Sequence, residues 1–304
     1  QALSESSQML ERFPNSVVLH NISGASNAAL KRFDAAIDSY QQALRIKPDY
    51  AEVHNNMGSV MKDKGDLNEA IDSFKQAIQI KPDYALAYNN MANAMKDKGD
   101  LEEAIESYKQ ALRIKPDYAE VHNNMGNALS IKGDLAEAIE SYKKALRIKP
   151  NFAGAYNNMA NAMKNKGDLA EAIESCKQAL KIKPDYADAY YNMANAMKDK
   201  GDLAEAIESY KQALKIKPNF AKAYYNMGNT LNEKGDPEAA IDSYKKALKI
   251  KPIYAEAYYN MGNILKDKGE LNATVSLYKE ALDRLPNVYK HPAALLRGLM
   301  RQQI

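Results

Sequence analysis

The sequence predicts an all-α protein, a solenoid of stacked two-helix units, and three observations carry that expectation. A Lys-Pro dipeptide returns at Pro48, Pro82, Pro116, Pro150, Pro184, Pro218 and Pro252, every 34 residues and without an insertion. Between those prolines the apolar residues recur at helical spacing, as Tyr88, Met91, Ala92 and Met95 do at i, i+3, i+4 and i+7. No stretch alternates apolar and polar residues as a half-buried strand would.

Taken in order, residues 2–14 (ALSESSQMLERFP) fit only the second helix of a unit whose first helix is missing, which predicts a chain that starts in mid-repeat. Residues 1–16 are therefore assigned to an incomplete unit. Eight full units follow over 17–288: a divergent one at 17–50, then 51–84, 85–118, 119–152, 153–186, 187–220, 221–254 and 255–288. Each unit opens on its first helix. A glycine ends that helix at Gly65, Gly99, Gly133, Gly167, Gly201, Gly235 and Gly269, the natural residue for a left-handed turn. Asp100 followed by Glu103 then predicts an acidic capping box for the second helix, as do Asp66 with Glu69, Asp134 with Glu137, Asp168 with Glu171 and Asp202 with Glu205. Pro237 takes the first helical position of its unit. The second helix buries Leu101, Ala104, Ile105, Tyr108, Ala111 and Leu112, and it stops before Pro116, whose ring disfavours helical geometry in the preceding residue. Residues 289–304 predict a terminal helix with Leu295, Leu296, Leu299 and Met300 on one face, covering the last unit's open side.

A period of 34 residues, with Tyr or His, Met, Gly or Ala, Met or Leu, Ala, Tyr and Pro at fixed positions, resembles the tetratricopeptide repeat over nearly the whole chain. That resemblance implies a right-handed superhelix with the first helices lining its concave side. It also implies a protein or peptide partner and no cofactor.

Asparagine is the residue that needs explaining. Counting from each unit's opening alanine, position 6 is Asn56, Asn90, Asn124, Asn158, Asn192, Asn226 and Asn260, and position 9 is Asn93, Asn127, Asn161, Asn195, Asn229 and Asn263. Both lie opposite the Met face of the first helix. Asn in a helix interior is worse than Ala by about 0.5–0.7 kcal/mol, so the set costs on the order of 6–9 kcal/mol unless something offsets it. A row of carboxamides pairs equally well with the C=O and the N–H of an extended peptide. The row resembles the asparagine ladder in the superhelical groove of the O-GlcNAc transferases, where such residues hold substrate polypeptides. That implies the same role for the position-6 residues, with position 9 in support. A second reading keeps these amides for bonds between neighbouring helices, serving packing alone. Position 5 changes from Asn55, Asn89, Asn123 and Asn157 to Tyr191, Tyr225 and Tyr259, which predicts an aromatic half of the groove suited to apolar side chains of a ligand. The alternative is that these tyrosines cover adjacent helices.

Other functions find little support. Lys and Arg number 42 against 39 acidic residues, a net charge of +3, and the lysines at position 12 stand beside acids at position 13. Neither a nucleic-acid nor a membrane field is implied. His20, His54 and His122 each replace a tyrosine in a different unit, too dispersed for metal, and His291 stands alone; no metal site is expected. Cys176, the single cysteine, replaces a core tyrosine and fits a reducing, cytoplasmic setting. No catalytic constellation is present, and the chain is read as a non-enzymatic interaction module. Two rivals are kept: the substrate-recruiting region of a larger enzyme such as a glycosyltransferase, and a scaffold that self-associates through its uncapped N-terminal end.

Overall fold

In the computed structural model, which describes residues 2–284, every regular element is an α-helix. The chain divides into two units, 1–150 and 151–304. The first holds α1 (Ala2–Arg12), α2 (Val17–Ala29), α3 (Phe33–Ile46), α4 (Ala51–Lys64), α5 (Leu67–Ile80), α6 (Ala85–Lys98), α7 (Leu101–Ile114), α8 (Ala119–Lys132) and α9 (Leu135–Ile148). The second holds α10 (Ala153–Lys166), α11 (Leu169–Ile182), α12 (Ala187–Lys200), α13 (Leu203–Ile216), α14 (Ala221–Glu233), α15 (Pro237–Ile250), α16 (Ala255–Asp267) and α17 (Leu271–Arg284). The expected terminal helix over 289–304 lies outside the described residues.

Helices pack as consecutive hairpins, α4 with α5 and α6 with α7 for example, and within each unit one hairpin stacks on the next. An aromatic ring fills most of the hairpins: Phe74, Tyr108, Tyr142, Tyr210 and Tyr244 are essentially fully buried, and in the hairpin of α10 and α11 the buried Cys176 takes that place. Each such ring contributes about 1.5–3 kcal/mol through burial. Close approach of the two helices makes room for no more than a small residue opposite the ring. A Cβ added at Gly126 would meet Tyr142 at 2.7 Å, and the equivalent positions are otherwise Gly or Ala.

The glycine turns form as the sequence predicts. Gly133 ends α8 with φ 98°, and Asp134 N–H donates back to the Leu129 carbonyl at 2.9 Å, closing the helix end. The capping boxes do not form. Asp66, Asp100, Asp134, Asp168 and Asp202 make no side-chain bond to their helices. Asp100 sits at φ −79°, ψ 70°, and Leu101 N–H donates to the Gly99 carbonyl at 2.9 Å, an inverse γ-turn that aims the carboxylate away from the helix. The carboxylate instead pairs with the lysine two residues earlier, Lys98 at 2.8 Å from Asp100. Asp236 is the instructive departure. Its neighbour Pro237 has no N–H to close the γ-turn, φ relaxes to −116°, and the Asp236 carboxylate accepts from Ala239 N–H at 3.1 Å.

Candidate functional site

Within each unit the first helices lie side by side, α4 beside α6 and α6 beside α8, α10 beside α12 and α12 beside α14. This places their asparagines in rows one helix apart. The position-6 amide reaches the position-5 side chain of the preceding repeat. Asn56 Nδ2 donates to Asn21 Oδ1 at 3.2 Å, Asn90 to Asn55 at 3.0 Å, Asn124 to Asn89 at 3.1 Å and Asn192 to Asn157 at 2.9 Å. The acceptors are buried, Asn55 to 3% exposure and Asn89 to 7%, whereas the position-6 side chains are half-buried. In the first unit the bonds join end to end, because Asn89 Nδ2 donates to Asn90 Oδ1 at 3.3 Å. The relay from Asn124 through Asn89 and Asn90 to Asn55 is continuous.

Tyrosine at position 5 changes the donor count. Asn226 Nδ2 donates both to the Tyr191 hydroxyl at 3.0 Å and to Asn195 Oδ1 at 2.9 Å. Asn260 repeats the pattern with Tyr225 at 3.1 Å and Asn229 at 2.8 Å. The rings are spoken for as well: Tyr191 packs on Phe220 with centroids 4.9 Å apart, and Tyr225 on Tyr254 at 4.9 Å. These two tyrosines therefore cover adjacent helices, and Tyr259 is half-buried on its own helix.

Position 9 serves the hairpin. The buried core tyrosine donates to it, Tyr108 to Asn93 at 2.6 Å, Tyr142 to Asn127 at 2.8 Å, Tyr210 to Asn195 at 2.7 Å and Tyr244 to Asn229 at 2.7 Å. Where Cys176 replaces that tyrosine, Asn161 has no phenol to accept from and is exposed. Each of these bonds contributes about 1 kcal/mol net. That matches the helix-propensity cost per asparagine, so the cost is offset inside the protein and needs no ligand to explain it. The acceptor residues Asn21, Asn55, Asn89 and Asn157 are the part of the row that spacing did not assign. The signal for them is a hydrogen-bonding side chain 35 residues before every position-6 asparagine.

What each amide has left follows by counting donors and acceptors. Asn90, Asn124 and Asn192 spend one N–H each on the ladder and keep the other, together with acceptor capacity on Oδ1. Asn226 and Asn260 spend both N–H groups and keep only the carbonyl. Asn158 is half-buried in the same row.

The remaining candidates are structural. His20, His54 and His122 donate through Nε2 to the carbonyls of Pro14, Pro48 and Pro116 at 2.8, 2.9 and 3.0 Å, latching the turn between hairpins. Burial lowers the His122 pKa, and its Nδ1 has no partner. Burial pushes the Cys176 thiol up to about 12, the opposite of a nucleophile. Position-12 lysines pair along the face, Lys96 with Asp97 at 3.0 Å, Lys164 with Asp199 at 3.8 Å and Lys198 with Glu233 at 3.7 Å. No group of His, Cys, Asp or Glu among the described residues is arranged to hold a metal ion, and no helix among them is long and apolar enough to cross a membrane.

A family profile described as TPR repeat matches residues 27–65, 58–99, 92–130, 126–167, 164–201, 194–235 and 228–269, and one described as Tetratricopeptide repeat matches 255–287. The chain belongs to the tetratricopeptide repeat family. Among solved structures, a chain of the APC/C hetero-tetramer Cut9-Hcn1 superposes with a TM-score of 0.65 at 19% identity, over 86% of this chain and 52% of that one. This tetratricopeptide chain thus spans about half the length of that relative. Two crystal structures of MamA align with a TM-score of 0.49, at 31% and 30% identity, over 53% and 57% of this chain and 95% and 94% of theirs. No curated protein matches. Tetratricopeptide repeats are protein-interaction modules, and their presence over residues 27–287 supports a protein–protein interaction scaffold.

Proposed function

We propose that the first-helix face binds an extended polypeptide through its backbone. The observation that carries this reading is the unspent, half-exposed N–H on Asn90, Asn124 and Asn192, each beside a carbonyl with room to accept. A peptide unit presents one C=O and one N–H, so a row of such amides holds a chain whatever its side chains. The ladder supports this role, because amides fixed by their neighbours are already oriented and lose little freedom on binding. Asn56 and Asn158 extend the row, position 9 steadies it, and Asn226 and Asn260 contribute acceptors. Tyr191, Tyr225 and Tyr259 form a more apolar stretch beside them. A pull-down comparing the wild type with Asn124→Ala, Asn158→Ala and Asn192→Ala combined tests it. Loss of the captured proteins with unchanged helical content is expected, and equal capture moves the function to another surface.

Self-association is favoured by a separate observation, the exposure of Met9 on α1, Phe13 in the turn after it and Val18 on α2 at 51%, 58% and 59%. Sedimentation over a range of concentrations decides it; a strict monomer excludes it.

A further inference from the structure

One interface in the second unit breaks its own pattern. Along the first helices, the acid at position 13 pairs with a position-12 lysine. Lys164 of α10 meets Asp199 of α12, and Lys198 of α12 meets Glu233 of α14. The next step would join position 12 of α14 to Asp267 of α16, but that position is Asn232. Asp267 is exposed and carries no ion pair among the described residues, alone of the acids at position 13. A cavity of about 210 Å³ opens there, between α14 and α16, lined by Asn229, Asn232, Tyr244, Asn260, Asn263 and Asp267.

The polar groups around this cavity are biased toward accepting. Both N–H groups of Asn260 are spent, on the Tyr225 hydroxyl and Asn229 Oδ1, so Asn260 offers its carbonyl. Tyr244 spends its proton on Asn229 at 2.7 Å. Asn232 and Asn263 are amides that make no side-chain bond among the described residues, each free to turn its carbonyl inward. Asp267 supplies a full negative charge. A carboxylate, the carbonyl of Asn260 and two amides free to present theirs line one cavity with no cation among its lining residues, an arrangement complementary to a group that only donates.

We propose that this pocket takes a cationic side chain of the bound polypeptide, arginine before lysine because a guanidinium brings five N–H groups to a multi-acceptor site. The reading of the ligand as a polypeptide rests on the function proposed above; the choice of a cation rests on the pocket itself. It gives the pocket a task different from that of the amides. Asn90, Asn124 and Asn192 hold backbone without regard to sequence, and the pocket between α14 and α16 reads a charge.

The test uses the full chain, labelled with ¹⁵N, and N-acetyl-arginine amide as the probe, with N-acetyl-citrulline amide as its neutral isostere. Saturable shifts of the Asn232, Asn260 and Asn263 side-chain signals are expected with the arginine probe. Affinity about tenfold weaker is expected with citrulline, and the same loss in Asp267→Asn, an exposed substitution that breaks no internal bond. Equal affinity for the two probes, an unchanged arginine affinity in Asp267→Asn, or no shift at those three residues overturns the proposal. The single-residue probe does not need the amide row. A chain that captures polypeptides but ignores arginine keeps the backbone reading and loses this one, and a chain that binds the probe but captures nothing does the reverse.

Discussion

Replacing Asn90 by alanine separates a bonded ladder from a free row of amides by the sign of a stability change. Asn90 Nδ2 donates to Asn55 Oδ1 at 3.0 Å, and Asn90 Oδ1 accepts from Asn89 Nδ2 at 3.3 Å. The substitution strands an acceptor on Asn55 and a donor on Asn89, residues that are 3% and 7% exposed. A fully buried polar group left unpaired costs about 1–3 kcal/mol. Asn90 itself is half-exposed, so water reaches part of the gap and the lower end applies, roughly 2 kcal/mol for the two groups. Alanine returns about 0.6 kcal/mol in helix propensity. The expected outcome is a net loss of about 1–2 kcal/mol, read as a lower urea midpoint by far-UV circular dichroism with an unchanged slope. An asparagine that bonded nothing would instead give a variant more stable by about 0.6 kcal/mol. That gain, if measured, refutes the ladder.

Three further outcomes follow from the same geometry. Cys176→Tyr should stabilise by about 1–2 kcal/mol, since the ring enters a place that Tyr108 and Tyr210 fill opposite Ala92 and Ala194, as Cys176 lies opposite Ala160, and its hydroxyl gains Asn161; a lower urea midpoint contradicts the packing. Gly133→Ala should cost about 1–2 kcal/mol through backbone strain alone, because φ is 98° and nothing lies within 4 Å of the added methyl; thermal unfolding reads it. His122 is held neutral by burial, which lowers its pKa in the folded state. The unfolded chain then takes up the proton first, so stability is full above the unfolded value of about 6.5 and declines as the pH falls below it. In His122→Tyr, which restores the residue usual at that position, urea midpoints between pH 7 and 5 should fall less than in the wild type.

The hairpin architecture was legible because helical period, glycine stops and Lys-Pro breaks all repeat in phase, so each copy supports the others. The N-caps were not. Asp100 and Glu103 have capping-box spacing, but the backbone at Asp100 is fixed by the γ-turn bond from Leu101 to Gly99, and only where Pro237 removes that bond does an aspartate cap its helix. For the site, the face carrying the asparagines was legible from helical period alone. Their partners were not, since the bonded pairs lie 35, 31 and 15 residues apart, separations fixed by how helices stack. A trace remains in the substitutions. Position 5 is Asn or Tyr, both able to accept, and where Phe74 and Cys176 lack a hydroxyl their position-9 counterparts are Ser59, which turns to its own helix's Asn55 carbonyl, and the exposed Asn161.

The most direct test of backbone capture follows the side-chain amide signals of the position-6 asparagines when a captured polypeptide is added to the ¹⁵N-labelled chain. Asn90, Asn124 and Asn192, each with an N–H to give, should shift more than Asn226 and Asn260, whose N–H groups are already spent. Shifts confined to the second helices, with the amide row unmoved, would contradict the account.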